Sequence, residues 1–197
     1  MEELLKLNDV FHTLQGEGVN AGRRALFVRL PFCNLKCSWC DTSFNSYQDW
    51  TREKFIQFAT QEPNRFAVVT GGEPTMNKQT PKVIKILKEL GFEIAVESNG
   101  NFAIPDGIDF VTISPKRDAE YQVHPHAWEK ASEFKYVVDD GFDFTLLDRH
   151  DVKDGKRYSL SPEFGNLEKS IELILEYIAK NPTWRLSLQT HKWIKIP

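Results

Sequence analysis

The chemistry of this sequence concentrates at Cys33, Cys37 and Cys40, the only three cysteines in the chain. They stand as C-N-L-K-C-S-W-C, a C-x3-C-x2-C spacing. A secreted disulfide framework would want an even number of cysteines spread along the chain, so this set reads as a metal site in a reducing compartment. Thiolates suit soft iron–sulfide cores, and an ordinary 4Fe–4S cluster takes four of them. With three, one iron must take another ligand or stay open. Lys36 inside the motif eases the thiolate charge, and Trp39 sits beside the last cysteine. Two plainer readings stand next to the cluster. One is a Cys3His zinc site, with His12 or a later histidine as fourth ligand. The other is a chance group of free thiols.

Further polar residues interrupt otherwise apolar runs. T-G-G-E-P at 70–74 follows a short apolar run, and its glycines let the backbone approach a ligand closely while Glu73 adds a fixed carboxylate. Ser98-Asn99-Gly100 reads as a turn, and Ser114-Pro115-Lys116 as an ordinary loop with a solvated lysine, unless both line a site. Arg29 breaks the apolar run A-L-F-V-R-L; its plain reading is a strand-end arginine paired with a structural acid. Thr42, after Cys40-Asp41, either caps a turn or offers a hydroxyl to Mg2+, a hard cation that prefers oxygen.

Strands and helices must position these residues. Strands are expected over 4–14 and 25–30, then a loop over 31–48 and a helix over 51–61 with Thr51 as N-cap. A strand over 66–70 leads to a helix over 80–90, with Thr80 as N-cap, Pro81 at its first position and Gly91 as its stop. Strands are expected over 92–98, 110–113, 134–138, 157–160 and 185–188, with a helix over 167–178. The segment 117–133 fits no motif and reads as a crossover loop or insert. Alternation of strand and helix implies a mostly parallel sheet with helices outside it. The polar residues singled out above fall after strands, where barrel chemistry collects. At 197 residues the chain is short for a complete eight-unit barrel of ~250 residues, so a partial TIM-like α/β barrel in one domain, 1–197, is expected. The net charge is −3, with no Lys/Arg run longer than two, which argues against a nucleic-acid partner. No apolar stretch approaches the ~20 residues of a membrane span. M-E-E-L-L-K-L-N-D-V lacks the features of a signal peptide, so a cytoplasmic location is expected.

The cysteine spacing resembles the radical S-adenosylmethionine (SAM) superfamily. There, SAM fills the open iron through its amino and carboxylate groups. A reduced cluster cleaves it to methionine and a 5′-deoxyadenosyl radical that abstracts a substrate hydrogen. The resemblance implies SAM contacts from Trp39, Gly72, Glu73, Ser98, Ser114, Pro115, Lys116 and Gln189. Four segments narrow it: F-H-T-L-Q-G-E-G at 11–18, F-V-R-L at 27–30, C-x3-C-x-W-C-D-T at 33–42 and H-K-W-I-K-I-P at 191–197. Together they look like the 7-carboxy-7-deazaguanine synthase family, over essentially the whole chain.

That family contracts 6-carboxy-5,6,7,8-tetrahydropterin to 7-carboxy-7-deazaguanine with loss of ammonia, on the route to deazapurines such as queuosine. SAM is regenerated, Mg2+ is needed, and the enzyme is a homodimer fed by a donor such as flavodoxin or ferredoxin. Carried over, Leu14, Gln15 and Gly16 would line the pterin, with Gln15 offering donor and acceptor. Arg29 would hold the substrate carboxylate in a bidentate pair. Thr42 would bind Mg2+, and Thr70, His191 and Pro197 would contact substrate. A carboxylate at Pro197 would pair with the N–H edge of the pterin. No residue stands out as the acid that assists ammonia loss; Glu17 is the candidate. The rival activity is a radical SAM activase that installs a glycyl radical on a partner protein. From another class, the rival is an electron-carrying or zinc-binding module.

Overall fold

The computed structural model describes residues 4–40 and 43–197. Its main sheet contains eight strands. β2 (Asp9–Leu14) and β3 (Arg24–Leu30) form an antiparallel hairpin. From β3 onward every pairing is parallel, through β5 (Phe66–Gly71), β6 (Glu93–Ser98), β7 (Phe110–Ile113), β8 (Glu133–Val138), β9 (Arg157–Pro162) and β10 (Trp184–Leu186), each strand beside the next. β1 (Leu4–Leu7) and β4 (Gln48–Thr51) make a separate antiparallel pair. Helices α1 (Arg52–Ala59), α2 (Thr80–Glu89), α3 (Pro125–Lys130) and α4 (Leu167–Lys180) precede the final helix α5 (Thr190–Ile194). No described helix is long and apolar enough to cross a membrane.

Period-2 alternation decides what each strand offers to each side of the sheet. On β3, β5 and β6, Leu26, Val28, Leu30, Ala67, Val69 and Ile94 face outward. They pack with Phe55 and Ala59 of α1 and Val83, Ile84 and Leu87 of α2. The alternate positions face inward. Ala25, Phe27, Phe66, Val68 and Ala95 form an apolar floor. One step closer to the strand ends, the same faces present Arg29, Thr70 and Glu97 to cavities. The inner face of β8 carries Glu133 and Lys135, while its outward Phe134, Tyr136 and Val138 pack with Ile174 of α4 and Ala127 of α3.

The sheet curls strongly. β2 and β8 stand five places apart in its order, which at ~4.8 Å per strand would separate them by roughly 24 Å if it were flat. Yet Glu17, just after β2, lies 2.7 Å from Lys135 of β8. The edges β2 and β10 do not pair with each other. The segments that follow them meet instead: Gly18 N–H donates to Ser187 Oγ (2.8 Å) and Thr190 N–H to Gly16 O (3.0 Å). The result is an open, mostly parallel α/β sheet curled as the expected partial barrel, sealed at one end by side chains and turns.

Several local expectations need correction. The loop expected over 31–48 ends in β4, which begins at Gln48 to pair with β1. Thr80 is the first residue of α2 and not its cap; Gln79 takes that place, and the Thr80 hydroxyl donates to Pro74 O at 2.5 Å. The segment 117–133 holds α3, with Pro125 in its first turn and His124 Nδ1 accepting from His126 N–H. The last strand spans 184–186, and α5 follows it. Thr51 does cap α1, accepting from Lys54 N–H at 3.1 Å.

Candidate active site

The cysteine loop leaves the end of β3 and is fixed by backbone contacts. Phe32 adopts a left-handed φ of 69°, and its N–H donates to Phe44 O at 2.7 Å. Gly72 N–H donates to Leu30 O (2.9 Å) and Glu73 N–H to Phe32 O (2.8 Å). The contact is so close that a Cβ on Gly72 would lie 1.8 Å from Phe32 O. Gly72 is therefore required by the main chain of the cysteine loop itself, and Gly71 by the backbone of Leu30 at the end of β3. Cys33 Sγ accepts from Leu35 N–H (3.4 Å), and Cys40 N–H donates to Cys37 O (3.1 Å).

All three cysteines line one cavity of about 540 Å3. None is in a disulfide. Burial pushes the Cys33 thiol up, and burial with the nearby Asp118 carboxylate pushes Cys37 up to about 12. Both therefore carry protons at neutral pH, and metal loading must displace them. Among the described residues, no histidine lines this cavity. His12, the suggested fourth zinc ligand, stacks on Phe58 and pairs with Glu62 at 3.1 Å. No group of three or more His, Cys, Asp or Glu side chains is gathered to hold a single ion among the described residues. Three soft thiols lining one cavity, with no histidine among its described lining residues, fit the three-cysteine side of a cluster with one open iron.

The same cavity is lined by Trp39, Gly72, Glu73, Ser98, Ser114, Lys116 and Gln189; Pro115 is not part of its wall. Glu73 is a structural hub. Its Oε1 accepts from Thr75 N–H (2.9 Å), Thr75 Oγ1 (2.6 Å) and Ser98 Oγ (2.8 Å), and its Oε2 from Asn99 N–H (2.7 Å). Burial raises its carboxyl pKa despite these donors. One carboxylate thus locks the ends of β5 and β6 together. Lys116 donates to Ser114 Oγ and lies 5.2 Å from the Trp39 ring centre. Burial, with Lys135 nearby, brings it down to about 8.

A second cavity, of about 150 Å3, adjoins the first. Leu14, Gln15, Gly16, Arg29, Thr70, His191 and Pro197 all line it. These residues come from both ends of the chain. Gly16 touches His191, where a Cβ would lie 2.1 Å from Nδ1. Thr13 Oγ1 donates to Pro197 O at 3.1 Å. Gln15 is less available than its sequence suggests: Nε2 donates to Glu97 and Oε1 accepts from Glu17 N–H, both at 3.1 Å. Arg29 has its guanidinium 5.1 Å from the Phe11 ring centre and makes no ion pair among the described residues. Among the described residues, no acid pairs with Arg29 as its plain reading would require. Thr42 lies outside the described residues.

The chain is similar to known proteins over nearly its whole length. Residues 27–111 match the profile of the radical SAM superfamily. The 7-carboxy-7-deazaguanine synthase of Haemophilus influenzae is 36% identical over 200 residues, covering 95% of this chain and 92% of that protein. The synthase of Bacteroides thetaiotaomicron is 35% identical, covering 97% of this chain and 98% of its own length. The crystal structure of QueE from Escherichia coli superposes with a TM-score of 0.74 at 27% identity, covering 94% of this chain and 93% of that one. The chain belongs to the 7-carboxy-7-deazaguanine synthase family. It is a radical SAM enzyme, and the family implies a 4Fe–4S cluster and SAM.

In this synthase-family chain the two cavities share a wall that sequence reading largely missed. Glu17, Thr70, Glu97 and Lys135 line both. Lys135 Nζ donates to Glu17 Oε2 (2.7 Å) and Glu97 Oε2 (3.0 Å). Burial opposes ionisation of Glu17, but Lys135, Gln189 and His191 outweigh it and bring its carboxyl down to about 2. Glu97 goes the other way, raised by burial and by Glu17 and Glu133 against the pull of Lys135. Lys135 is raised by its carboxylates despite its burial. Glu17, the sequence candidate for the acid, is thus firmly ionised. The sign that would have found Glu97 and Lys135 is the one that marked Arg29: a charged residue inside an apolar strand, in F-E-I-A-V-E-S and E-F-K-Y-V-V.

Proposed function

We propose that this chain contracts 6-carboxy-5,6,7,8-tetrahydropterin to 7-carboxy-7-deazaguanine with release of ammonia, as a carbon–nitrogen lyase of deazapurine biosynthesis. The observation that carries the reading is Arg29, an inward-facing guanidinium that makes no ion pair among the described residues, in a small cavity that shares a wall with the cysteine cavity. Its planar fork suits a carboxylate, bidentate and charge-assisted.

Cys33, Cys37 and Cys40 would hold the 4Fe–4S cluster, and the Gly72, Glu73, Ser98, Ser114, Lys116 and Gln189 side of the cavity would hold SAM. When bound, the two together supply one-electron chemistry that abstracts a hydrogen from the substrate. The protein's own contribution is placement. Glu73 fixes the turns after β5 and β6, so the SAM wall is rigid before ligand arrives. Arg29 orients the substrate carboxyl, while Leu14 and Gly16 bound the ring and Thr70 touches both ligands' cavities. The loop 15–18 and α5 close over the pocket and exclude water. Thr42 is proposed as an oxygen ligand to Mg2+. Working in the cytoplasm as a homodimer, the enzyme would draw electrons from a flavodoxin or ferredoxin. The close relatives do not favour the activase reading.

The test is anaerobic reconstitution with SAM, Mg2+, reductant and carboxypterin, followed by mass spectrometry. A deazaguanine product without stoichiometric SAM loss is expected. Reductive SAM cleavage with no product would overturn the substrate assignment. In the same assay, Arg29→Met should raise the carboxypterin KM by roughly 10- to 100-fold, the worth of a charge-assisted hydrogen bond. An unchanged KM would remove Arg29 from substrate binding.

A further inference from the structure

The partition between the two cavities is itself a device. Gln189 Nε2 donates to Glu17 Oε1 at 2.9 Å, and Glu17 Oε2 accepts from Lys135. Lys135 passes to Glu97 Oε2, and Glu97 Oε1 accepts from Gln15 Nε2. Gln189 lines the cysteine cavity and Gln15 the smaller one. A chain of five side chains therefore crosses the wall from one ligand space to the other, with one ammonium at its centre. Gln15 Oε1 also accepts from Glu17 N–H, which ties the Gln15 end back to the second member of the chain.

We propose that Lys135 is a positioning residue for the proposed ring contraction: its ammonium holds the carboxylates of Glu17 and Glu97 in the partition, and through them sets the separation and orientation of the two bound ligands. The inference rests on the functional reading above. Lys135 comes from β8, Glu17 from the loop after β2 and Glu97 from β6, so the clamp joins three distant parts of the sheet. The groups that face it include Glu133 two residues earlier on β8, Lys116 from the loop after β7, and His191 of α5 beside Glu17. Lys135 is only 7% exposed. Without its charge, two carboxylates would remain in one buried wall, where like charges cannot both stay ionised. One would take up a proton, the pair would close on itself or splay, and Gln15 and Gln189 would move with it.

The test compares wild type, Lys135→Met and Lys135→Arg as reconstituted holoenzymes. Read-outs are kcat and KM for carboxypterin against pH, and 5′-deoxyadenosine released per product. Infrared titration of carboxylates is read without turnover. Lys135→Met is expected to lower kcat/KM by about 100-fold, the scale of an ångström-level misplacement. Its acid limb should move toward neutral pH, and SAM cleavage should uncouple from product. The Lys135→Arg form should recover much of each. A wild-type pH profile and coupling ratio in Lys135→Met would overturn the inference. So would equal losses in both variants with an unmoved carboxylate titration, since that is a merely structural effect. If wild type makes no product, the functional reading fails on its own, and the infrared titration still decides: a midpoint displaced in Lys135→Met supports the clamp, and an unmoved one overturns it. Should Lys135→Met not fold, the double variant with Glu97→Gln removes cation and anion together. It is expected to fold yet keep the lowered kcat/KM; a wild-type kcat/KM there would refute the role.

Discussion

The carboxylate of Glu73 accepts hydrogen bonds from Thr75, Ser98 and Asn99, and two of its four donors are backbone N–H groups. An amide in its place can satisfy at most one side of that set. Glu73→Gln should cost about 1–3 kcal/mol of stability, because a buried N–H then faces another donor. It should also weaken SAM binding about tenfold, as the turns after β5 and β6 loosen. Calorimetric unfolding and equilibrium dialysis measure the two; unchanged values in both would mean that water replaces the lost contacts. Glu73 was legible in the sequence as a fixed carboxylate next to two glycines. Its pairing with Ser98 and Asn99 was not, because they come from the next strand end, 25 residues away for Ser98.

At the scale of elements, the inner-face ladder accounts for most of what could be read. Alternation along A-L-F-V-R-L and F-A-V-V-T puts Arg29 and Thr70 on one face above an apolar floor. The tight join between the cysteine loop and the turn after β5 was legible only as glycine. Its cause is Phe32 O, where an added methyl would strike backbone that has no room to retreat. Gly72→Ala should therefore lower the iron content of the reconstituted protein while leaving the far-UV spectrum intact. Full iron loading would show that the loop can back away. Short elements escaped the sequence because they depend on partners. β4 exists by pairing with β1, and α5 by bonding to Gly16.

The whole molecule carries a second polar centre on the outer side of the sheet. His150 packs among aromatic rings, 4.8 Å from the Trp128 centroid, and its Nε2 meets Tyr136 Oη at 2.8 Å. Arg149 donates to the same hydroxyl at 2.6 Å. Burial, then Arg149, lowers the His150 pKa from 6.5 to about 4. Its Nδ1 is buried without a hydrogen-bond partner among the described residues, so an added proton there would find no acceptor. A depressed histidine favours the fold above its unfolded value, and that contribution is lost as pH falls from 6.5 toward 4. Stability should drop by up to about 3 kcal/mol across that window. The His150→Phe variant should flatten the slope, as chemical denaturation at several pH values would show. An unchanged slope would place the acid sensitivity elsewhere.

Sequence by itself offered the three cysteines as a candidate ligand set, the glycine turn and the strand–helix alternation, while the lining of both cavities came in outline from the family resemblance. The first three are local: a spacing, a backbone requirement or a strand and helix period. Only the tertiary structure decided that Lys135 sits between Glu17 and Glu97, that Lys135 draws the Glu17 carboxyl down, and that Arg29 makes no ion pair among the described residues. Those facts follow from the curl of the sheet, which brings strands five places apart into contact and sets their charges in a shared, dry wall. Burial and charge pairing depend on which distant groups meet, and no local pattern in the chain encodes that distance.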